Sequence, residues 1–114
     1  MEPWEIGHAF ARRYESFWAK GAREIDALYA PDAILCGQKI VNSHAEIGAL
    51  LGAIVGQGWS AISIEIAEAT AKGEVILLAC RYKARSESDE IGAKSSYALV
   101  KIDGVWKAAM HTAT

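Results

Sequence analysis

The sequence predicts an α+β domain in which helices come first and strands follow. Over the first twenty residues the apolar side chains repeat at helical spacing, and Ile6, Phe10 and Phe17 share the centre of one face. From Trp59 onwards apolar and polar side chains alternate instead, as in a strand with one buried face. Because the two patterns are segregated along the chain, we expect the helices to cover one face of an antiparallel sheet.

Two helices are predicted before the first strand. Pro3 suits the first turn of an amphipathic helix, and Gly21 suits the position just after its end. A second, short helix is expected from residue 22 to about residue 29, because apolar side chains recur there and Pro31 then stops it. A short strand is predicted over residues 33–36.

A third helix follows, and a run of strands completes the chain. Ser43 and Glu46 form a capping-box pattern that opens the helix, and Gly56 and Gly58 end it. The later alternating segments predict a four-strand antiparallel meander, with strands from residue 59, over 74–85, over 94–102 and from 105 to 111 or beyond. Its turns are Lys72-Gly73, a polar loop over 85–90, and Asp103-Gly104, a strong hairpin signal.

Composition bounds the function. The 114 residues, 52% of them apolar and 23% charged, fit one folded domain spanning residues 1–114. A net charge of −2 gives no sign of a nucleic-acid partner. No apolar run approaches the roughly 18 residues of a membrane span, and no secretory signal is evident, so no membrane partner and a cytoplasmic location are expected. The sequence has only two cysteines, and the histidines have no second metal-ligating residue at the spacing of a metal site. Neither a metal site nor a cofactor is therefore expected.

Four short segments carry a family resemblance. They are YESFWAKG at 14–21, LYAPDA at 28–33, SHAEI at 43–47 and VKIDGVWK at 100–107. In this order, over nearly the whole chain, they resemble the nuclear transport factor 2-like (NTF2-like) superfamily, in its bacterial SnoaL-like and ketosteroid-isomerase-like branch. The resemblance implies a cone-shaped, curved antiparallel sheet wrapped around three N-terminal helices, the cystatin/NTF2-like α+β barrel. It also implies a pocket between the concave face of the sheet and the first and third helices.

The candidate catalytic residues are Tyr14, Asp32 and His111. The resemblance places Tyr14 where ketosteroid isomerases carry an oxyanion donor, and it places Gly37 where they carry the catalytic carboxylate. Asp32 is the nearest acid, although a turn residue bonded to its own backbone is the simpler interpretation. His111 lies near the end of the last strand, where it could act as acid, base or hydrogen-bond partner. Strict alternation puts it on the strand face opposite Trp106.

The predicted function is the binding of a small hydrophobic or aromatic molecule, with a carbonyl or carboxylate near Tyr14 and His111. An isomerase, cyclase or dehydratase acting on a small carbonyl compound is the alternative, so whether the chain is an enzyme stays open. The predicted ligand-binding residues are aromatic or apolar except for the histidine, and are Tyr14, Trp18, Tyr29, Leu35, Leu50, Trp59, Leu78, Cys80, Tyr97, Leu99 and His111.

The convex face of the sheet is expected to pair with a second copy of the chain. The segments 74–85 and 94–102 carry apolar side chains on both faces, whereas a sheet with one face in water should alternate cleanly. A homodimer through this face follows, and an oligomeric assembly module is a third hypothesis for the function. Cys36 and Cys80 are interpreted as two small buried side chains, with their proximity and redox state left open.

Overall fold

The computed structural model describes residues 2–113. Two α-helices, α1 (Pro3–Ala19) and α2 (His44–Gly56), accompany six strands, and one turn of 3-10 helix (Ile25–Leu28) follows α1. The strands are β1 (Tyr29–Cys36), β2 (Ile40–Val41), β3 (Ala61–Lys72), β4 (Val75–Arg85), β5 (Glu90–Ile102) and β6 (Val105–Ala113). The predicted α+β class is confirmed.

The six strands form one open sheet in the order β2-β1-β6-β5-β4-β3. The strands β3 to β6 make the predicted antiparallel meander, and β2 pairs antiparallel with β1. β1, however, runs parallel to β6, so the sheet is mixed and the expectation of a purely antiparallel sheet is wrong at this junction. The sheet curves into a cone around α1, with its two ends left as free edges.

The predicted second helix is the largest error in the helical region. Only residues Ile25–Leu28 are helical, as a single 3-10 turn, and Tyr29 already begins β1. The backbone explains the difference, because Ala22 and Glu24 have φ angles of 60° and 58°, in the left-handed region that ends an α-helix. Two α-helices, rather than three, therefore precede the meander.

β1 is longer than predicted because it runs through Pro31. The register between β1 and β6 shifts between Tyr29 and Ile34, so Pro31 lies in a stretch with no aligned partner. A proline lacks the N–H that a ladder needs, and it is tolerated where the ladder is already interrupted. The two-residue strand β2 was not predicted, because Ile40–Val41 is too short to show a periodic pattern.

The hairpin turns follow their sequence signals closely. Asp103 and Gly104 have φ angles of 51° and 79°, the pair of positive values that a two-residue type I′ turn needs. The β3–β4 turn is made by Gly73 and Glu74, one residue later than predicted, with Gly73 at φ 59°. β5 begins at Glu90 instead of residue 94, because the ladder with β4 continues to the Arg85–Glu90 pair.

Helix α1 lies on the concave side of the sheet and is hydrogen-bonded to the edge strand β3. Its apolar face is buried, mostly against β3. Two polar side chains of α1 also reach β3, since Glu15 accepts a hydrogen bond from the Ile64 N–H at 2.7 Å and Arg12 donates to the Ile64 carbonyl at 2.6 Å. The side chains of α1 thus satisfy backbone groups that an edge strand would otherwise expose.

No helix within residues 2–113 is long and apolar enough to cross a membrane.

Candidate functional site

A cavity of about 440 Å³ lies between α1, α2 and the concave face of the sheet. α1 contributes Tyr14 and Trp18, and α2 contributes Leu50, Leu51 and Ile54. The inward-facing side chains of the strands complete the wall. The size is that of a site for a small molecule, and the wall is predominantly apolar and aromatic.

Trp18 joins the two helical sides of the cavity. It follows Tyr14 by one helical turn, and the two rings stack with centroids 6.0 Å apart. The indole Nε1 of Trp18 donates a hydrogen bond to the backbone carbonyl of Trp59 at 2.8 Å, which fixes the segment after α2 against α1. Because this N–H is already bonded, Trp18 presents an apolar ring to the cavity.

A β-bulge turns His111 into the cavity. The register between β5 and β6 shifts between Ala98 and Leu99, which leaves Ala109 as an extra residue on β6. Ala108 and His111, three positions apart, are therefore both buried on the inner face. The prediction that His111 lies on the face opposite Trp106 is wrong for this reason, since Trp106 also packs against the core.

A buried hydrogen-bonded cluster forms the floor of the cavity. The hydroxyl of Tyr29 lies 2.7 Å from Nδ1 of His111 and 3.4 Å from the hydroxyl of Tyr14. Tyr97 stacks on the imidazole with ring centroids 4.1 Å apart and an interplanar angle of 20°. Tyr14 meets the same imidazole edge to face, at 6.0 Å. The histidine ring is held in one orientation by rings on three sides.

Burial keeps every group of this floor uncharged. Desolvation lowers the pKa of His111 from 6.5 to about 3, so the imidazole is neutral at physiological pH. Desolvation also raises the pKa values of Tyr14, Tyr29 and Tyr97 above the usual value for a phenol. The floor can therefore exchange hydrogen bonds with a ligand without carrying a formal charge.

His111 presents its second ring nitrogen to the cavity. Nδ1 is occupied by Tyr29, which lies behind the ring and does not line the cavity. Within residues 2–113, Nε2 has no hydrogen-bond partner. Ser95 Oγ is the only side-chain polar atom there that is both fully buried and without a partner, so Nε2 is not fully buried. Nε2 therefore has access to the cavity that the ring lines.

The structure brings seven of the predicted site residues together. They all line the cavity, and they are Tyr14, Trp18, Leu35, Leu50, Trp59, Tyr97 and His111. Two of the three candidate catalytic residues, Tyr14 and His111, are in this set. The third, Asp32, is exposed on β1 and does not line the cavity, so its position gives no support to a catalytic role.

Four other predicted residues lie in the core behind the cavity wall. Tyr29 supports His111, and Leu78, Cys80 and Leu99 point inward from the sheet but are covered by other side chains. Burial raises the pKa of the Cys80 thiol to about 11, so it is not a nucleophile at neutral pH. Both Cys36 and Cys80 are free thiols in the structure.

Several residues at the mouth and in the wall of the cavity were not predicted from the sequence. The missed residues all line it, and they are Gln38, Leu51, Ile54, Gln57, Ile62, Tyr82, Ala84, Ile91 and Ala113. Gly37, which the resemblance places where isomerases carry the catalytic carboxylate, lines it too. Two of the missed residues had a usable signal, since Ile54 follows Leu50 by one helical turn and Tyr82 shares the β4 face of Cys80. The glutamines lie in segments without a periodic pattern.

No group of three potential metal-ligating side chains occurs among residues 2–113. A second depression, on the opposite side of the sheet, is lined by Ser63, Glu65, Arg81, Lys83 and Lys94 among others. Its volume of about 560 Å³ exceeds that of the inner cavity, but it is more open to solvent and half of its lining residues are charged, with Arg81 paired to Glu65 at 3.1 Å. The candidate functional site is therefore the inner cavity.

Known structures share this fold over most of the chain. An NTF2-like protein of unknown function from Shewanella oneidensis superposes with a TM-score of 0.84 at 16% identity, covering 97% of this chain and 98% of that one. A domain of unknown function with a cystatin-like fold from Nostoc punctiforme gives 0.83 at 14% identity, covering 98% and 76%. A scytalone dehydratase-like protein from Novosphingobium aromaticivorans gives 0.73 at 13% identity, covering 96% and 80%.

These likenesses establish the NTF2-like, cystatin-like fold, which confirms the fold that the sequence resemblance implied. No protein-family model matches the chain, and no curated protein matches it in sequence. The fold alone does not fix an activity, because related folds serve many functions. The function must be argued from the cavity.

Proposed function

We propose that this protein binds a small hydrophobic or aromatic molecule in the cavity between α1 and α2. The observation that carries the proposal is the cavity itself, about 440 Å³ in volume and enclosed by aromatic and aliphatic side chains around an ordered polar floor. Apolar side chains that face a cavity lose the packing contacts and burial that a ligand would restore. The proposal is binding without turnover.

A thermal-shift screen tests this role. Steroids, aromatic acids and polyketide fragments are added to the protein, and a ligand at about 100 times its dissociation constant should add about 2.7 kcal/mol to the free energy of unfolding. Leu50→Trp would fill the cavity from α2, and the neighbouring Ala49→Trp on the exposed face is the matched control. We expect the stabilisation to persist in Ala49→Trp and to disappear in Leu50→Trp. Equal stabilisation of both variants would place the ligand elsewhere.

The second candidate function is an isomerase, cyclase or dehydratase of the same cavity. It is favoured by the floor, where the Tyr14 hydroxyl and Nε2 of His111 lie beside the space for a ligand, and by the likeness to a scytalone dehydratase-like protein. It is disfavoured because no carboxylate lines the cavity within residues 2–113, which leaves His111 as the base. Mass spectrometry of a bound ligand after prolonged incubation separates the two, since turnover changes the recovered molecule and binding does not.

The proposed partner at the convex face is a second copy of the chain. Leu77, Ala98, Met110 and Ile34 are aligned across β4, β5, β6 and β1, and three of them are large, exposed apolar side chains. Such a row favours burial against an identical row. Sedimentation equilibrium should give twice 12.3 kDa for the wild type and 12.3 kDa for Met110→Lys. A wild-type protein of 12.3 kDa at micromolar concentration would rule out the homodimer and, with it, the assembly-module hypothesis.

A cytoplasmic location is part of the same proposal. It is supported by the small number of cysteines, two in 114 residues and not bonded to each other, which is unlike the disulfide-rich composition of small secreted domains.

A further inference from the structure

The side chains around the cavity also specify the kind of ligand. We infer that the ligand is an uncharged molecule whose carbonyl or hydroxyl oxygen is held by Nε2 of His111, with its apolar body between α1 and α2. This inference rests on the proposed ligand-binding function and narrows its chemistry. It departs from the expectation that a carboxylate would serve as well as a carbonyl.

The wall of the cavity carries no charged side chain within residues 2–113, since no Asp, Glu, Lys or Arg lines it. The hydrogen-bonding side chains of the wall are neutral, and they are Tyr14, Trp18, Gln38, Gln57, Trp59, Tyr82, Tyr97 and His111. A carboxylate or ammonium group that leaves water without a counter-charge loses far more free energy than a neutral group does. The cavity therefore discriminates against ions of both signs.

The protons of the floor can be arranged in two ways. A neutral imidazole carries one N–H, so the partner of Nδ1 decides what Nε2 can do. If the Tyr29 hydroxyl donates to Nδ1, Nε2 carries the proton and donates to a carbonyl oxygen. If Nδ1 donates to Tyr29, that hydroxyl donates onward to Tyr14 at 3.4 Å, and Nε2 accepts from a ligand hydroxyl.

Both arrangements are neutral, and they differ only by hydroxyl rotation and a change of imidazole tautomer. The floor can thus match a carbonyl or a hydroxyl oxygen without moving a ring. A charged end group gains no ion pair from either arrangement, because neither places a formal charge beside it, and one neutral hydrogen bond does not repay the loss of its hydration. The ring orientation itself is fixed by the stacking of Tyr97 and the edge contact of Tyr14.

A matched ligand series tests the inference on the unmodified protein. The probes share a naphthalene body and differ at position 2, which carries acetyl, hydroxyl, ethyl, carboxylate or aminomethyl, and calorimetric titration at pH 7 gives each dissociation constant. We expect 2-acetylnaphthalene and 2-naphthol to bind about tenfold more tightly than 2-ethylnaphthalene, as one net hydrogen bond allows. The naphthoate and the naphthylmethylammonium ion should bind at least about 100-fold more weakly than 2-acetylnaphthalene.

Two substitutions assign the effects to their residues. His111→Phe should abolish the advantage of the acetyl probe over the ethyl probe while leaving the ethyl probe's affinity nearly unchanged. Leu50→Arg should bring a cation to the cavity and raise the affinity for naphthoate, whereas Ala49→Arg on the exposed face of α2 should not. If His111→Phe does not fold, the probe series on the wild type still decides the charge and oxygen preferences.

The outcomes separate this inference from the proposed function. If naphthoate or the ammonium probe binds as tightly as 2-acetylnaphthalene, the inference is overturned while the ligand-binding role stands; tight ammonium binding would indicate an aromatic cage for cations. Equal affinities of the acetyl, hydroxyl and ethyl probes would overturn the role of His111. If none of the five probes binds, including the hydrocarbon, both the inference and the proposed function are contradicted.

Discussion

The cavity has two helical walls that are held in very different ways. Helix α1 buries six residues against the sheet and approaches it so closely that a Cβ at Gly7 would lie 2.8 Å from a methyl carbon of Leu78. Helix α2 buries only Ile47 and Leu51. It also carries three glycines in thirteen residues, and at Gly52 a Cβ would have no atom within 4 Å.

This difference indicates that the two walls have different roles. α1 is rigidly packed and carries Tyr14, so it fixes the floor on which a ligand's oxygen would be held. α2 has low intrinsic helix stability, because glycine in a helix interior costs roughly 1 kcal/mol relative to alanine. Since no close contact requires Gly52, we expect α2 to be the wall that adjusts when a ligand enters.

Truncation of a core side chain should cost far more on α1 than on α2. Phe10 is 2% exposed, and Phe10→Ala should lower the free energy of unfolding by about 3–5 kcal/mol. Ile54 on α2 is only partly buried, so Ile54→Ala should cost about 1 kcal/mol. Chemical denaturation measures both values. Similar losses in the two variants would break the contrast between the walls.

Acid should weaken the floor on the α1 side. Above pH 6.5 the His111 imidazole is neutral in both the folded and the unfolded chain. Below pH 6.5 His111 becomes protonated in the unfolded chain, whereas the buried ring, with a pKa of about 3, stays neutral in the folded protein. Stability should therefore fall as the pH decreases from 6.5 towards 3, by up to about 1.4 kcal/mol per pH unit from this group.

Urea denaturation at pH 7.0, 6.0 and 5.0 measures the acid effect, and His111→Phe should remove most of the slope above pH 5, where few carboxyl groups titrate. An unchanged slope in His111→Phe would show that His111 is not buried in its neutral form.

Loss of the hydrogen bond between Glu15 of α1 and the edge strand β3 should lower the free energy of unfolding by an intermediate amount. Glu15→Ala leaves the Ile64 N–H without its partner and should cost about 1–3 kcal/mol. Ser16→Ala, at an exposed position on the same helix, is the control and should change stability by less than about 0.5 kcal/mol. Thermal unfolding measures both variants. Equal melting temperatures would contradict the role of Glu15 in stabilising the edge strand.

The smallest effect should have the opposite sign. Gly52→Ala should stabilise the protein by roughly 0.5–1 kcal/mol, because alanine favours the helix and its methyl group meets no other atom. Gly48→Ala is the matched control, since a Cβ there would lie 3.1 Å from Cβ of Asp26 and offset the gain. Equal gains in both variants, read from denaturation midpoints, would mean that α2 and its neighbours adjust freely.

The sequence predicted elements that have a strong local signal. The structure contains the first helix around Phe10 and the Asp103-Gly104 turn, as predicted. It also contains the predicted helix cap at Ser43, whose hydroxyl accepts a hydrogen bond from the Glu46 N–H at 3.1 Å. The predicted second helix failed because left-handed φ angles at Ala22 and Glu24 have no signature in those residue types.

The site was only partly predictable for a related reason. Alternation can assign faces within a regular strand, but the extra residue at Ala109 reverses the pattern and brings His111 inward. Whether an inward residue reaches the cavity or lies behind its wall depends on tertiary packing, as the different positions of Tyr97 and Leu99 show. No local pattern contains that information.

Amide hydrogen exchange with and without 2-acetylnaphthalene tests the account most directly, because it reports on both walls at once. We expect α2 amides to exchange much faster than the central amides of α1 in the free protein. We also expect a saturating concentration of the probe to slow exchange in α2 while leaving α1 nearly unchanged. Equal protection of the two helices in the free protein, with no change on adding the probe, would contradict the claim that this cavity is a ligand site with α2 as its less stable wall.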